Sequence, residues 1–329
     1  MEERIVDPKS DVNEDIVERS LRPGSFNEVI GREKEKKNLK ILIDAAGKRG
    51  DSIDHVLLHG PPGLGKTSLA HVIAHEAGVE FNSTSGPAIE RKGDLASILT
   101  NIEEHGILFI DEIHRLNRAV EEMLYSAMED NTLDIIIGKG PSARTLKLEL
   151  NKVTIIGATT RVGLLSSPLR DRFGVDMRLD YYSIPDLVRL IKQKAGIFNI
   201  EIDHESAVEI ASRARRTPRI AIRILKRVRD YAQVEGSDKI ELGVVKKALE
   251  MIDVDRYGLD NLDRKILATI IDNFDGGPVG LNTLAAAVAE DIDTIQDVYE
   301  PFLIQEGFII RTPRGRAVTE KATRYYTEL

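Results

Sequence analysis

Short apolar runs alternate with longer amphipathic stretches between residues 55 and 180. This alternation is typical of a doubly wound α/β domain, in which a parallel sheet lies between layers of helices. The apolar runs predict strands at residues 55–58, 107–110 and 153–157, with a weaker edge strand at 175–179. The amphipathic stretches predict helices at residues 66–77 and 118–130.

The pattern changes after the boundary that Ser183-Ile184-Pro185 marks. Residues 186–255 are predicted to be all-helical, with helices at 186–195, 205–213, 218–234 and 242–252. A third region has predicted helices at 263–274, 282–289 and 294–305, followed by short strands around 308–311 and 317–319. We therefore divide the chain into a tail at 1–20 and domains at 21–184, 185–256 and 257–329.

Composition agrees with a soluble protein of two or three domains. The 329 residues are 42% hydrophobic and 30% charged, and the sequence lacks an apolar run of membrane-spanning length. The acidic, polar N-terminus argues against a secretory signal. Because the sequence has no cysteine, it excludes disulfides, cysteine-ligated zinc and thiol nucleophiles. The expected compartment is the cytoplasm, and no membrane partner is expected.

Positive charge is concentrated in two places although the net charge is −8. Residues 213–229 contain eight basic side chains and no acid, and a second group lies near the C-terminus. Local clusters of this kind permit nucleic-acid binding even in an acidic protein. The first cluster repeats at helical spacing, so we assign it, apart from Arg219, to an intersubunit surface.

A glycine-rich loop joins the first predicted strand to the first predicted helix. Residues 60–67 read GPPGLGKT, which matches G-x-x-x-x-G-K-[ST] in the strand–loop–helix context that this motif requires. Backbone N–H groups of such a loop surround phosphates at the helix N-terminus. Lys66 is expected to reach the β- and γ-phosphates, and Thr67 to bind Mg²⁺. A Gly-Pro turn before an ordinary helix is the alternative, and the flanking elements argue against it.

The second predicted strand ends in two carboxylates, at Asp111 and Glu112. A buried parallel strand directs such residues toward the ligand crevice of an open α/β sheet. Asp111 suits Mg²⁺ coordination, and Glu112 suits the role of general base for the attacking water. Two acids after a strand are commonly a solvated loop, but the upstream phosphate loop favours the catalytic interpretation.

The third predicted strand also turns polar where it ends, at Thr159 and Thr160. A hydroxyl there can hydrogen-bond the γ-phosphate or the attacking water, or it can cap the turn that follows. Both interpretations stay open from the residues alone.

Two arginines follow at positions suited to a phosphate. Arg172 lies in RDRF, and Arg219 follows 47 residues later in TPR, at a predicted helix start. The guanidinium is planar and permanently charged, so it matches a phosphate whose charge grows in the transition state. Either arginine alone is typical of a surface ion pair. Beside the two upstream motifs, both become candidate catalytic residues.

These motifs together resemble the AAA+ ATPases. GPPGLGKT, LFIDEIHRLN, GATTR, SPLRDRF and TPRIAIR stand in the order and spacing of that class. Longer strings, among them LRPGSFNEVIG and YEPFLIQEGFIIRTPRGR, resemble the RuvB family of bacterial Holliday-junction branch-migration motors. The resemblance runs from about Leu21 to the C-terminus. It implies a P-loop ATPase domain, a small helical lid and a C-terminal winged helix.

The resemblance also implies roles for single residues in ATP and ADP binding. Thr160, rather than Thr159, is expected to supply the sensor hydroxyl. Arg172 is expected to act in trans on the ATP of a neighbouring subunit, and Arg219 to contact phosphate in cis. A site completed in trans implies a ring, which is hexameric by resemblance.

Further nucleotide contacts are implied by resemblance at nine positions. Leu21 and Arg22 correspond to the family's adenine contacts, and Tyr182 to a contact at the domain hinge. Asn131 departs from the family pattern, which has an aromatic residue there, so a stacking role is in doubt. The nine positions are Leu21, Arg22, Gly63, Gly65, Ser68, Glu129, Asp130, Asn131 and Tyr182.

Partners are implied by the resemblance as well. The segment from Leu133 to Leu148, with its GKGPSAR turn, matches the β-hairpin that engages the junction-binding protein RuvA. Double-stranded DNA at four-way junctions is the expected substrate, in recombination, DNA repair and the SOS response. A larger complex with the resolvase RuvC is also implied.

The C-terminal region predicts a wing that faces DNA. Its β-turn-β segment has TPRGR at the tip, from which Arg311, Arg314 and Arg316 are expected to project. Such cations bind phosphates without sequence preference. The predicted recognition helix at 294–305 contains acids but neither lysine nor arginine, which argues against base reading. A solvated basic turn is the alternative.

Three other classes of AAA+ protein fit less well. A DNA-binding initiator would have a strongly basic recognition helix, which this sequence lacks. A clamp loader would favour a Ser-Arg-Cys finger, and the sequence contains no cysteine. A protein unfoldase would favour an aromatic pore loop near residues 85–95, where the sequence is SGPAIERKGDL. The motor hypothesis accounts for both ends of the chain.

Overall fold

The structure is a computed structural model that describes residues 21–137 and 144–328. These residues group into two units: unit 1 holds residues 21–60 and 65–180, and unit 2 holds residues 61–64 and 181–328. The predicted tail at 1–20 and the tip of the predicted hairpin lie outside the described residues. No helix in the described ranges is long and apolar enough to cross a membrane.

Unit 1 is built on a parallel sheet with a separate antiparallel hairpin. Its strands are β1 Val56–His59, β2 Phe81–Ser85, β3 Ile107–Asp111, β4 Thr132–Ile137, β5 Arg144–Glu149, β6 Thr154–Thr159 and β7 Val175–Arg178. The sheet order is β2-β3-β6-β1-β7, with every pairing parallel, and β4 pairs with β5. The predicted doubly wound sheet is confirmed.

Helices flank this sheet. They are α1 Glu33–Arg49, α2 Lys66–Ala77, α3 Lys92–Thr100, α4 Arg118–Asp130 and the single turn α5 Ser167–Arg170. The bounds of α2 and α4 are those predicted. The apolar faces of α3 and α4 pack against the buried strands in one core cluster. Burial of that surface, at about 25 cal/mol per Å² of apolar area, holds the layers together.

The register of the sheet brings the ends of several strands to one edge. Ser85 pairs with Asp111 across β2 and β3, and His59 pairs with Thr159 across β1 and β6. In a parallel sheet these carboxyl ends line the crevice in which ligands bind. The candidate residues that follow β1, β3 and β6 therefore meet at the same edge.

Unit 2 begins with four helices. They are α6 Ile184–Ile197, α7 His204–Arg213, α8 Pro218–Val234 and α9 Leu242–Met251, joined by the short parallel strands β8 Glu201–Ile202 and β9 Lys239–Ile240. Ser183 caps α6 and Asp203 caps α7, each through its side chain. The expectation of an all-helical region was wrong at the two short strands, which hold only two residues each.

The rest of unit 2 contains further helices and a two-stranded wing. Its elements are α10 Asn261–Phe274, α11 Leu281–Val288, α12 Ile292–Thr294, a π-helical turn Ile295–Tyr299, α13 Glu300–Gln305, β10 Ile309–Thr312, β11 Gly315–Val318 and α14 Glu320–Thr327. The single predicted helix at 294–305 is thus three pieces. Pro301 lacks an N–H group, which prevents the regular α-helical ladder from continuing through this point.

Arg215 lies between the helical and the winged-helix parts of unit 2. Its side chain is 6% exposed and donates to Asp260 Oδ2 at 2.8 Å, and it also donates to Asp263. The assignment of the basic cluster to an intersubunit surface was therefore wrong for Arg215. The neighbouring Arg213 is likewise engaged inside the unit, with Glu209.

The pH dependence of stability is expected to report on Asp263. Burial raises the pKa of this carboxyl to about 8, although the Arg215 guanidinium lowers it. Between the unfolded pKa and about pH 8 the folded chain binds one more proton than the unfolded chain. The free energy of unfolding therefore falls as pH rises, by at most about 1.4 kcal/mol per pH unit. Asp263→Asn should lack this slope in urea unfolding at several pH values; parallel profiles would contradict the assignment.

Candidate active site

The phosphate loop places Lys66 at the start of α2. Lys66 is 7% exposed, and its Nζ donates to Gly60 O at 2.8 Å. Gly65 is the N-cap with φ 86°, so no side-chain oxygen from the cap covers the first-turn N–H groups. Thr67 and Ser68 follow in that first turn. This cradle suits an anionic ligand at a helix N-terminus, so the residues present fit a nucleotide phosphate.

Asp111 ends the buried strand β3 at the same edge of the sheet. Its Oδ1 accepts a hydrogen bond from Glu112 N at 3.0 Å. Carboxylate and hydroxyl oxygens are the protein ligands that Mg²⁺ prefers. Asp111 and Thr67 therefore supply a donor set that fits Mg²⁺.

Glu112 adopts a left-handed backbone conformation, with φ 48° and ψ 44°. A non-glycine residue held there costs on the order of 1–3 kcal/mol, and such residues cluster at functional sites. The carbonyl of Glu112 lies so close to Gly86 that a Cβ on Gly86 would be 2.4 Å from it. The absence of a side chain at Gly86 therefore leaves room for the sharp turn that the chain makes after β3.

One hydroxyl and one imidazole lie beside the Glu112 carboxylate, and a second hydroxyl contacts the imidazole. Thr160 Oγ1 donates to Glu112 Oε2 at 3.4 Å, and His114 Nδ1 lies 3.3 Å from the same oxygen. Thr159 is buried, and its hydroxyl lies 2.9 Å from His114 Nδ1. Thr160 is thus beside the predicted base, whereas Thr159 contacts it only through His114. The sensor role of Thr160 stays a prediction.

His114 was not singled out from the sequence. Its side chain is 6% exposed and bridges the ends of β3 and β6 through Glu112 and Thr159. The only signal was its position two residues after Glu112, which does not by itself show which way the ring turns. We interpret His114 as a residue that positions the carboxylate.

Gly86→Ala is expected to destabilise the protein by about 1–3 kcal/mol, because the new methyl group would overlap Glu112 O. The strained turn would have to shift, so ATP hydrolysis should fall as well. Urea unfolding and steady-state ATPase assays measure both effects. Gly93→Ala is the matched control, since a Cβ there meets nothing within 4 Å. Equal stability and activity for the two variants would contradict the close approach.

Arg172 contacts its own unit. Its Nη2 donates to Glu129 Oε2 at 2.6 Å, and its Nη1 donates to Pro168 O at 2.9 Å. The guanidinium also lies over the Tyr125 ring, 5.3 Å from the centroid. Glu129 is 61% exposed, so this pair lies at a surface. The expected finger is held by one of the residues that the resemblance assigned to the nucleotide.

The other expected nucleotide contacts in unit 1 lie at element ends. Leu21 is buried and Arg22 is exposed at the start of the described chain. Asp130 is the last residue of α4, and Asn131 is its C-cap with φ 52°. Asparagine is well suited to this left-handed position, which gives Asn131 a structural reason.

The expected contacts in unit 2 lie around the start of α8. Tyr182 N donates to Arg216 O at 3.0 Å. Arg219 N donates to Gly63 O at 3.3 Å, so these two residues of unit 2 are in contact. The structure thus places Arg219 and Gly63 together, and their nucleotide roles stay predictions.

The wing carries its arginines in two different environments. Arg314 is exposed at the turn between β10 and β11, whereas the Arg316 side chain is 15% exposed and donates to Glu300 Oε2 at 3.0 Å. Arg311 is 57% exposed and donates to the other oxygen of Glu300 at 2.8 Å. Glu300 itself is 1% exposed. The expectation that Arg316 projects from the wing was wrong, because the buried Glu300 draws it inward.

Comparison with protein families covers nearly the whole chain. The Holliday junction DNA helicase RuvB P-loop domain matches residues 21–179, the RuvB AAA lid domain 182–255, and the RuvB C-terminal winged helix domain 256–327. The chain belongs to the RuvB family. A P-loop domain, a lid and a C-terminal winged helix therefore make up its architecture, and the family assignment implies nucleotide binding.

Solved RuvB structures have the same fold. The Thermotoga maritima RuvB Holliday junction branch migration motor is 51% identical, with 93% of this chain and 98% of that chain covered and a TM-score of 0.86. Two variants of Thermotoga maritima RuvB are also 51% identical, with TM-scores of 0.87 and 0.88. Each comparison covers 94% of this chain and 98% of the solved chain. The likeness thus extends over 98% of each of these solved chains rather than over one domain.

Proposed function

We propose that this chain is the ATPase subunit of a ring-shaped motor that drives branch migration of Holliday junctions in the cytoplasm. The observation that carries the proposal is the arrangement of Lys66, Asp111 and Glu112 at one edge of the RuvB-family sheet. A phosphate cradle at the same sheet edge as a candidate general base suits hydrolysis of ATP rather than passive binding.

The chemistry in one subunit uses side chains from three strand ends. Lys66 binds the β- and γ-phosphates, and Glu112 accepts the proton of the attacking water. Thr160, within reach of Glu112, orients that water. Mg²⁺ held by Thr67 and Asp111 would neutralise charge on the phosphates. Arg219 contacts phosphate from the lid.

Completion of the site requires a second subunit. Arg172 pairs with Glu129 in its own chain, so in the ring it must exchange this partner for the γ-phosphate of a neighbour. Charge-assisted contacts of this kind stabilise the phosphoryl-transfer transition state and raise kcat by about 10³–10⁵. The motor is therefore active as an assembly, which we take to be a hexamer.

The hairpin β4–β5 is the proposed docking site for RuvA. Its register pairs Leu133 with Leu148, and Leu146 is 50% exposed. An exposed apolar side chain on a two-stranded hairpin suits burial against a partner protein. The resolvase RuvC would join the same complex during recombination and repair.

The proposal is tested by dissociation of a synthetic four-way junction with ATP, Mg²⁺ and the cognate RuvA. Wild-type protein should separate the arms, and Lys66→Ala should bind the junction without moving it. Normal ring assembly and junction binding without any movement by the wild-type protein would overturn the proposed function.

Substitutions of two wing arginines should have different effects, one on DNA binding and the other on stability. Arg314→Ala should weaken duplex binding and lower the slope of log K against log salt by about one, because one phosphate contact is lost. Arg316→Ala should instead lower the free energy of unfolding by about 1–3 kcal/mol, since Glu300 stays buried with one fewer donor. Salt titration of DNA binding and urea unfolding measure the two effects. An unchanged salt slope for Arg314→Ala would remove this residue from the proposed interface.

A further inference from the structure

The turn between α7 and α8 has an unusual backbone. Arg215 and Arg216 have φ values of 48° and 54°, so two consecutive residues other than glycine are left-handed. Each such residue is costly, and surrounding contacts must hold it in place. The contacts of residues 214–219 therefore indicate what this turn is for.

The backbone of the turn contacts two expected nucleotide residues within unit 2. Arg216 O accepts from Tyr182 N at 3.0 Å, and Arg219 N donates to Gly63 O at 3.3 Å. A Cβ on Gly63 would lie 3.1 Å from Arg219 Cβ, so the approach is close. Within unit 2, a shift of Gly63 would therefore displace the turn.

The side chain of Arg215 contacts the winged helix instead. Its Nε donates to Gly258 O at 3.0 Å, and its Nη2 donates to Asp260 Oδ2 at 2.8 Å. Nη2 also donates to Asp263, and Asp260 and Asp263 together form the capping box of α10. One guanidinium therefore holds the start of α10 by the side chains of both capping-box residues.

Aromatic rings complete the surroundings of this guanidinium. Its centre lies 4.9 Å from the Phe302 ring centroid and 5.6 Å from that of Tyr299. Phe302 is part of the winged-helix core. Arg215 thus contacts both α10 and the segment that contains α13, so its movement would carry the winged helix as a body.

A cavity of about 160 Å³ adjoins this contact. It is lined by Gly63, Arg215, Arg219, Val298, Tyr299 and Phe302, among others. Close-packed interiors resist gradual deformation. Open space beside the contact between Arg215 and the winged helix would therefore let the turn move between two arrangements.

We propose that Arg215 is a positioning residue that links the nucleotide state of the lid to the DNA affinity of the winged helix. The inference rests on the proposed function and adds the contact through which nucleotide and DNA binding are coupled. Tyr182 and Gly63 meet the turn on its backbone side, and Asp260 and Asp263 meet it on its side-chain side. The alternative is a static strut that only stabilises unit 2.

The test measures duplex-DNA affinity of the full-length protein with ADP and with a non-hydrolysable ATP analogue. Coupling of two sites typically changes affinity about 5–150-fold, and wild type should show a ratio in that range. Arg215→Lys keeps the positive charge but loses the two-pronged guanidinium, and Asp260→Asn keeps a good N-cap but loses the negative charge. Both variants should bring the ratio of duplex-DNA affinities in the two nucleotide states at least threefold closer to one. The affinity for nucleotide should be unchanged.

Arg213→Lys is the matched control, because Arg213 pairs with Glu209 inside the same helix. A static strut predicts that Arg215→Lys and Asp260→Asn lower the urea midpoint but leave the ratio at the wild-type value, and this outcome would overturn the inference. Wild-type protein that moves junctions with equal DNA affinity in both nucleotide states would also overturn it and leave the motor intact. Wild-type protein that moves no junctions would instead remove the proposed function.

Discussion

A mixture of Lys66→Ala and Arg172→Ala subunits is expected to hydrolyse ATP, although neither variant does so alone. Lys66→Ala removes the contact to the β- and γ-phosphates in the subunit that holds the nucleotide. In the proposed ring, Arg172→Ala removes the contact that a subunit makes to the nucleotide of its neighbour. A mixed ring therefore contains interfaces with an intact Lys66 on one side and an intact Arg172 on the other.

The size of this rescue follows from random assembly. At equal amounts, about a quarter of the interfaces combine the two intact residues, because each is present with a probability of about one half. Each pure variant should retain at most about 10⁻³ of the wild-type kcat. A steady-state ATPase assay across mixing ratios, with rings confirmed by light scattering, should give a maximum near equal amounts. Activity that simply averages the two inactive variants would contradict a site shared between subunits.

Glu112→Gln is expected to lower kcat about 10²–10⁴-fold while ATP still binds with nearly wild-type affinity. The amide has the shape of the carboxylate but cannot accept the proton of the attacking water. Thr160 and His114 can still hydrogen-bond to it, so the left-handed turn is kept. ATP-bound rings of this variant should accumulate on DNA, because hydrolysis no longer resets them.

A single-turnover assay separates the two parts of this expectation. Nucleotide affinity is measured by equilibrium binding, and the rate of hydrolysis by rapid quench. Glu122→Gln is the matched control, because Glu122 is a surface carboxylate paired with Arg118 on α4. If Glu112→Gln hydrolyses ATP within tenfold of the control, another residue must be the general base.

The sequence predicted the elements that carry an apolar pattern or a motif. The bounds of α2 and α4 were correct, and β1, β3, β6 and β7 were placed to within two residues. The edge strand β2 was missed because FNSTS has no apolar run and is only partly buried. The charged helix α1 was missed for a similar reason. The domain boundaries after residues 184 and 256 stay predictions.

The candidate site was predictable where chemistry follows from spacing along the chain. The motifs placed Lys66, Asp111 and Glu112 at the sheet edge where the structure has them, and their catalytic roles stay predictions. Contacts that depend on side-chain direction were not predictable. The inward turn of Arg316 toward Glu300, and the ring of His114 between two strands, result from packing between segments far apart in the sequence.

The pair between Arg172 and Glu129 has a consequence for energy use in a cell. Under the proposed trans mechanism, a chain too dilute to assemble would keep its arginine bound to its own glutamate and would hold ATP without consuming it. Turnover would begin only where many copies gather on one stretch of duplex. ATP would then be consumed at the sites of repair rather than throughout the cell, and low protein concentration would limit hydrolysis elsewhere.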